Sequence, residues 1–403
     1  MTRPYRRMLL HGRGGAGAPR AVMGRHLPAL DGVRAIAVLG VMAYHLHLAG
    51  GGYLGVDLFF VLSGFLITSL LLEEWSTAGV IKLRAFWARR ARRLLPALIL
   101  VVLAVLAYAV LHVNAPHGAD PGYSLSRLNS DALWTLLYIA NWHVIYIDQA
   151  LSPLQHTWSL GIEEQFYLIW PLVVIVLLRM SGVRWRRAGL WLCVIGACLS
   201  AFEMGLLFHA GYPGRLRSYT GTDTRAFTLL AGAALAFVSA NRPQPGARVR
   251  AILHVAGPLS AVTLVGLWLA QGRVNVFSTS GMFHGGFQVC AVLAMLLIAD
   301  ARLLNPGLLG WVLSLRPVRW VGTISYGLYL WHVPIIYYMT RASARLTGAP
   351  LDLVCAGLAF FAATLSYYLV ERPIRRYLGA PPAYAPRSTT PGPQDPAFPA
   401  RST

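Results

Sequence analysis

The chain has 403 residues, 56% of them hydrophobic and only 12% charged, with 35 Lys and Arg against 15 Asp and Glu. Soluble domains carry about 25% charged residues, so this composition excludes an ordinary soluble enzyme and points to a membrane protein. The net charge of +20 invites a nucleic-acid reading, but the basic residues sit in short loops between apolar segments and not on one folded face, so no nucleic-acid partner is expected.

Residues 1–28 hold six Arg and no continuous apolar core, which reads as a basic cytoplasmic leader and not as a signal peptide. Segments near the spanning length of about 20 apolar residues follow at 33–50, 54–74, 94–113, 160–180, 188–208, 225–240, 251–270, 281–299, 322–340 and 351–370. The stretch 133–146 is too short and too aromatic to span; its Trp134, Tyr138, Trp142 and Tyr146 suit an interfacial or re-entrant piece. With the N-terminus inside, the cytoplasmic pieces hold 27 Lys and Arg and the outer pieces 7. The expected fold is therefore all-α: a polytopic integral membrane protein of about ten transmembrane helices with both termini cytoplasmic. Residues 29–379 form the membrane domain, and the Pro-rich stretch 380–403 reads as a disordered cytoplasmic tail. Cys193, Cys198, Cys290 and Cys355 lie in apolar segments without metal-ligand spacing, so neither a disulfide nor a metal site is expected.

The chemistry-bearing residues begin in the first segment. Ten residues separate Arg34 from His45; eleven helical steps of about 100° bring both to one face, roughly 16 Å apart. Charged and titratable groups in so apolar a segment are costly unless used or paired. A tight Gly50-Gly-Gly-Tyr53 turn then brings Asp57 near His45, where it could orient the imidazole or simply cap a helix start. Arg89, Arg90, Arg92 and Arg93 form the densest cationic run. It anchors the cytoplasmic face to anionic lipid or docks a phosphorylated donor, and Arg90 and Arg93, three apart, share a helix face. Glu163, Glu164 and Gln165 enter an apolar helix, as dipole partners or as part of a site. His332 lies deep in a late segment, where a lone His often only packs. His45 and His47 diverge on a helix, which rules out chelation by that pair.

Taken in order, the Arg34–His45 pair, Gly55-Val-Asp-Leu-Phe-Phe-Val-Leu-Ser-Gly-Phe, Arg89-Arg-Ala-Arg-Arg-Leu-Leu-Pro, Trp158-Ser-Leu-Gly-Ile-Glu-Glu-Gln-Phe-Tyr, Thr222-Asp-Thr-Arg-Ala-Phe, Ser325-Tyr-Gly-Leu-Tyr-Leu-Trp-His and Glu371-Arg-Pro resemble the membrane acyltransferase family 3, of O-antigen-acetylase type. The resemblance runs from Leu27 to Tyr377. It implies an enzyme of the bacterial inner membrane that moves an acyl group, acetyl in the simplest case, from acyl-CoA to a hydroxyl of a sugar, envelope glycan or secondary metabolite. It also implies cofactor-binding roles for Arg34, Arg90 and Arg93 and a catalytic role for His45. On this reading Asp57 orients His45, while Glu163, Gln165 and His332 bind the acceptor or hold the structure. Some members append an extracytoplasmic hydrolase-like domain, and none is expected here. A transporter or flippase of a lipid-linked glycan is the competing class, since it too needs many spans and intramembrane charge.

Overall fold

Hydrocarbon offers no partner to a backbone N–H or C=O, so an apolar chain of this kind satisfies them within helices. A computed structural model describes residues 27–112, 125–147, 152–180, 184–208, 214–240, 244–270, 280–303, 306–342 and 346–377; among these the secondary structure is helical, with no strand. Nearly all of the basic leader 1–28 and the whole tail 380–403 lie outside the described residues.

The chain opens with α1 (Pro28–His45), α2 (Gly55–Ala78) and α3 (Leu83–His112). Two short helices, α4 (Leu125–Leu136) and α5 (Ala140–Ile147), precede α6 (Trp158–Leu178) and α7 (Arg184–Leu207). Then come α8 (Gly214–Thr220), α9 (Thr222–Ser239), α10 (Ala247–Ala270) and α11 (Phe287–Ala301). The series ends with α12 (Leu308–Leu313), α13 (Arg316–Ala342), α14 (Ala349–Leu365) and α15 (Arg372–Tyr377). By length and composition, 7 helical stretches can cross a membrane, those built on α2, α3, α6, α7, α10, α11 and α14. The remaining expected spans also form helices: α1, α9 and α13. These three carry the polar groups Arg34, His45, Arg225 and His332, and they are wrapped by protein: α1 lies on α13, and α9 on α2 and α7.

The segment 133–146 is broken near Tyr138, whose φ of 57° ends α4 and starts a new helix. The two pieces have 12 and 8 residues; at about 1.5 Å per residue neither covers a hydrocarbon core about 30 Å thick.

Two helix pairs set the frame of the site. The backbone of Asp31 meets Gly322 and the ring of His45 meets His332, so α1 and α13 run side by side in the same direction. Asp57 pairs with Arg225, and Gly64 and Gly232 press against the carbonyls of Leu229 and Val61, so α2 and α9 also run together. A methyl group at Gly64 or Gly232 would collide with a carbonyl oxygen, which is why small residues occupy such crossings. All four cysteines are unpaired.

Candidate active site

The arginine run at the start of α3 divides by helix face, as its spacing requires. Arg89 turns outward to Glu74 at 3.1 Å, and Arg92 bonds the carbonyl of Ala88 on its own helix. Arg90 and Arg93 turn inward and, with Arg34, line one cavity of about 250 Å³. Arg34 is held by Asp31 at 2.6 Å, and Arg90 lies 3.9 Å over the ring of Tyr167. Among the described residues neither Arg90 nor Arg93 has an ion-pair partner. Arg375 adds a further cation within electrostatic reach of Arg93. This end of the cavity is thus cationic, with the carboxyls of Glu163 and Glu164 in the same lining within electrostatic reach of Arg90 and Arg93.

The facing wall comes from α2, α6 and α13. Tyr167 donates to Ser63 Oγ at 2.6 Å, and Ser63 donates to Glu163 at 2.6 Å, so a short hydroxyl chain ties α6 to α2. Glu164 also lines the cavity, with Ser159, Ser325, Tyr326 and Tyr329. Gln165, one helical step of about 100° further round, turns away from it. Its amide donates to Asn141 Oδ1 and to the carbonyl of Tyr138, both at 2.9 Å, and its oxygen accepts from Thr222 at 2.6 Å. The structure thus places Glu163 in the cavity wall and Gln165 in a joint between α5, α6 and α9.

His45 does not line this cavity; Tyr329 closes it on that side. The Tyr329 hydroxyl donates to the carbonyl of His156 at 2.8 Å and accepts from Ser159 at 2.6 Å. Behind the phenol lie three imidazoles. The His332 ring is centred 5.1 Å from His45 and 5.4 Å from His156. His332 and His156 are buried, and both nitrogens of His156 and Nε2 of His332 have no hydrogen-bond partner among the described residues. No group of three His, Cys, Asp or Glu among the described residues is arranged to hold a metal ion.

For Asp57, expected to orient His45, the structure shows a different partner. Gly55 faces α1, where it touches the carbonyl of Ala37. Asp57 stands two residues on, about 200° round α2, and therefore faces α9. There it accepts from Arg225 at 2.8 Å, both side chains being almost fully buried. Phe60, Tyr219, Phe227 and Phe287 surround the guanidinium, with centroids 4.7–5.9 Å away. Asp57 is bound into the joint between two helices.

A profile of the acyltransferase domain matches residues 27–369, a range that contains the cavity and the histidine cluster. The chain belongs to this family. It is 38% identical over 369 residues to the "Peptidoglycan O-acetyltransferase OatA" of Listeria monocytogenes, covering 87% of this chain and 56% of that protein. It is 39% identical over 371 residues to the "Putative peptidoglycan O-acetyltransferase YrhL" of Bacillus subtilis, covering 87% and 55%. A Staphylococcus aureus protein, "Putative O-acetyltransferase SACOL0978", is 35% identical over 384 residues, covering 90% and 60%. The chain thus spans little more than half the length of these curated relatives. No solved structure matches it.

Proposed function

We propose that this chain is an integral membrane O-acyltransferase carrying an acyl group, acetyl in the simplest case, from acyl-CoA to a hydroxyl of a cell-envelope glycan. One observation carries the reading: in a chain of the acyltransferase family, Arg34, Arg90 and Arg93 converge on one cavity, and among the described residues the last two are in no direct ion pair, the Glu163 and Glu164 carboxyls standing further off in the same lining. Guanidinium forks match phosphate oxygens in pairs, so these residues hold the phosphates of the donor. A volume of about 250 Å³ falls below the roughly 300–1,000 Å³ of sites that enclose a drug-sized ligand. It suits a slender pantetheine arm, with the nucleotide left at the mouth.

The Tyr329 ring has to swing aside for the thioester to meet His45. His45 then takes the proton of the acceptor hydroxyl as its oxygen attacks the thioester carbonyl carbon. A C–O ester bond forms, the C–S bond breaks, and the proton passes from His45 to the leaving thiolate. The printed names of two relatives specify peptidoglycan, which makes a peptidoglycan hydroxyl the first acceptor to try. Ten crossings with cytoplasmic termini accompany this reading. The parallel pairs support it, since α1 and α13 are odd crossings in that count and α2 and α9 are even. The acyltransferase unit is 29–379, between leader and tail, in the plasma membrane of a bacterium.

The test uses purified protein in detergent with acetyl-CoA and soluble peptidoglycan fragments, following free thiol and ester. Acceptor-dependent thiol release is the expected result. Absence of saturable acetyl-CoA binding would sink the reading and leave glycan transport as the better one.

A further inference from the structure

We infer that His332 is the positioning residue for His45, holding that imidazole as a carboxylate does in other acid–base pairs. The inference rests on the acyl-transfer reading and goes beyond it. His332 is 1% exposed, and its Nδ1 lies 2.7 Å from the carbonyl of Tyr329 and 3.2 Å from that of Leu328. A carbonyl can only accept, so Nδ1 carries the hydrogen and the neutral ring keeps its lone pair on Nε2. The fold therefore fixes one tautomer. The fixed lone pair is buried and has no partner among the described residues.

The His45 ring is its edge-on neighbour at 5.1 Å between centroids, a separation that admits an N–H···N hydrogen bond after a small turn of either ring, or one bridging water. Around the two rings stand Tyr44, His47, His156 and Tyr329, with no carboxylate among them. His332 Nε2 accepts from one nitrogen of His45 and leaves the other free to take the hydroxyl proton. The imidazolium so formed keeps that hydrogen bond until the proton goes to the thiolate. This is the task that Asp57, bound to Arg225, does not perform.

The test compares wild type with His332→Leu and His332→Gln in acetyl transfer, with thermal midpoints recorded. The Gln amide reaches about as far as Nε2 and can accept, but it is not locked in place. His332→Leu should lower kcat by about 10²-fold, the lower end of what general-base help contributes, and change KM for acetyl-CoA less than about threefold. Its acid limb should move to lower pH, because His45 loses the acceptor that stabilises its protonated form and so deprotonates more readily. His332→Gln should recover at least about tenfold over Leu. If Leu destabilises the protein, the Gln variant carries the test through its own pH limb and KM. Wild-type kcat in the Leu variant overturns the inference, as does a loss with an unmoved acid limb and no recovery by Gln. A wild type without acetyl transfer sinks the acyl-transfer reading instead.

Discussion

Arg93 and Arg225 are both arginines within the helix bundle, and they are held in opposite ways. Arg225 is 0% exposed, paired with Asp57 and boxed by four aromatic rings. Arg93 is half-buried, faces a cavity and is in no direct ion pair among the described residues, although Glu163, Glu164 and Glu371 lie within electrostatic reach. Burying a charge is expensive unless its partner comes with it. Arg225 brings its own partner and joins two helices. Arg93 and Arg90 have only the more distant carboxyls of Glu163 and Glu164, in the same cavity, to offset them. The same side chain is thus locked into a helix joint in one region and left facing a cavity in the other.

The largest effect should fall beyond both arginines. His45→Ala should lower acceptor-dependent thiol release by about 10²–10⁴-fold, the usual worth of a general base, with the thermal midpoint of the protein unchanged. Wild-type turnover in this variant would remove the mechanism, and with it the sense in which the arginines serve a reaction.

Next comes the buried pair. Arg225→Met or Asp57→Asn should cost about 3–5 kcal/mol of stability, because one charge is stranded in an apolar surround. Thermal unfolding in detergent checks it, and protein that remains folded should keep its KM for acetyl-CoA. A stable Arg225→Met variant that no longer binds acetyl-CoA would erase the contrast between the two arginines.

The cavity arginines should show the mirror pattern. Arg90→Ala and Arg93→Ala should each weaken acetyl-CoA binding by about 10- to 100-fold, corresponding to a charge-assisted hydrogen bond of roughly 1.5–3 kcal/mol, with little change in thermal midpoint. Lys at either position should restore only part, since an ammonium keeps the charge and loses the planar fork. Titration of acetyl-CoA into each purified variant decides; full restoration by Lys would reduce the site to a point-charge attraction.

The smallest of these effects belongs to Arg34. Its guanidinium is already shared with Asp31, so Arg34→Ala should weaken acetyl-CoA binding about tenfold. Equal binding by wild type and variant would take Arg34 out of the donor site.

Spacing made some of this legible and hid the rest. Apolar runs of spanning length marked the long helices, and the three-residue step from Arg90 to Arg93 put both on the inward face. The stretch 133–146 was legible as non-spanning from its shortness and its aromatic residues, whereas its break at Tyr138 was not. The turn before Asp57 pointed toward His45, whereas the phase of α2, set by Gly55 against α1, gives its carboxylate to Arg225 on α9. Arg225 stands at the very start of an apolar segment in the sequence, yet it sits inside α9 as half of a buried pair. Glu164 and Gln165 are neighbours in sequence with opposite surroundings, and only the packing of α6 tells which one meets the cavity. His156 and Tyr329 come together from distant parts of the chain. Each carries an unremarkable local signal, and their meeting is a property of tertiary structure.

The glycine crossings give the cavity a fixed side and a loose side. With Gly64 and Gly232 seated against opposing carbonyls, α2 and α9 cannot slide without collision, so the wall bearing Ser63 behaves as a frame. Across from it, α3 carries Arg90 and Arg93 just ahead of Pro96. That proline has no N–H for the carbonyl of Arg92 and weakens the helix there. Beyond it, Ile99, Leu103, Val110 and Leu111 point away from the bundle. The two cavity arginines therefore sit just ahead of a missing backbone hydrogen bond in α3, opposite a wall whose glycines leave it no room to shift.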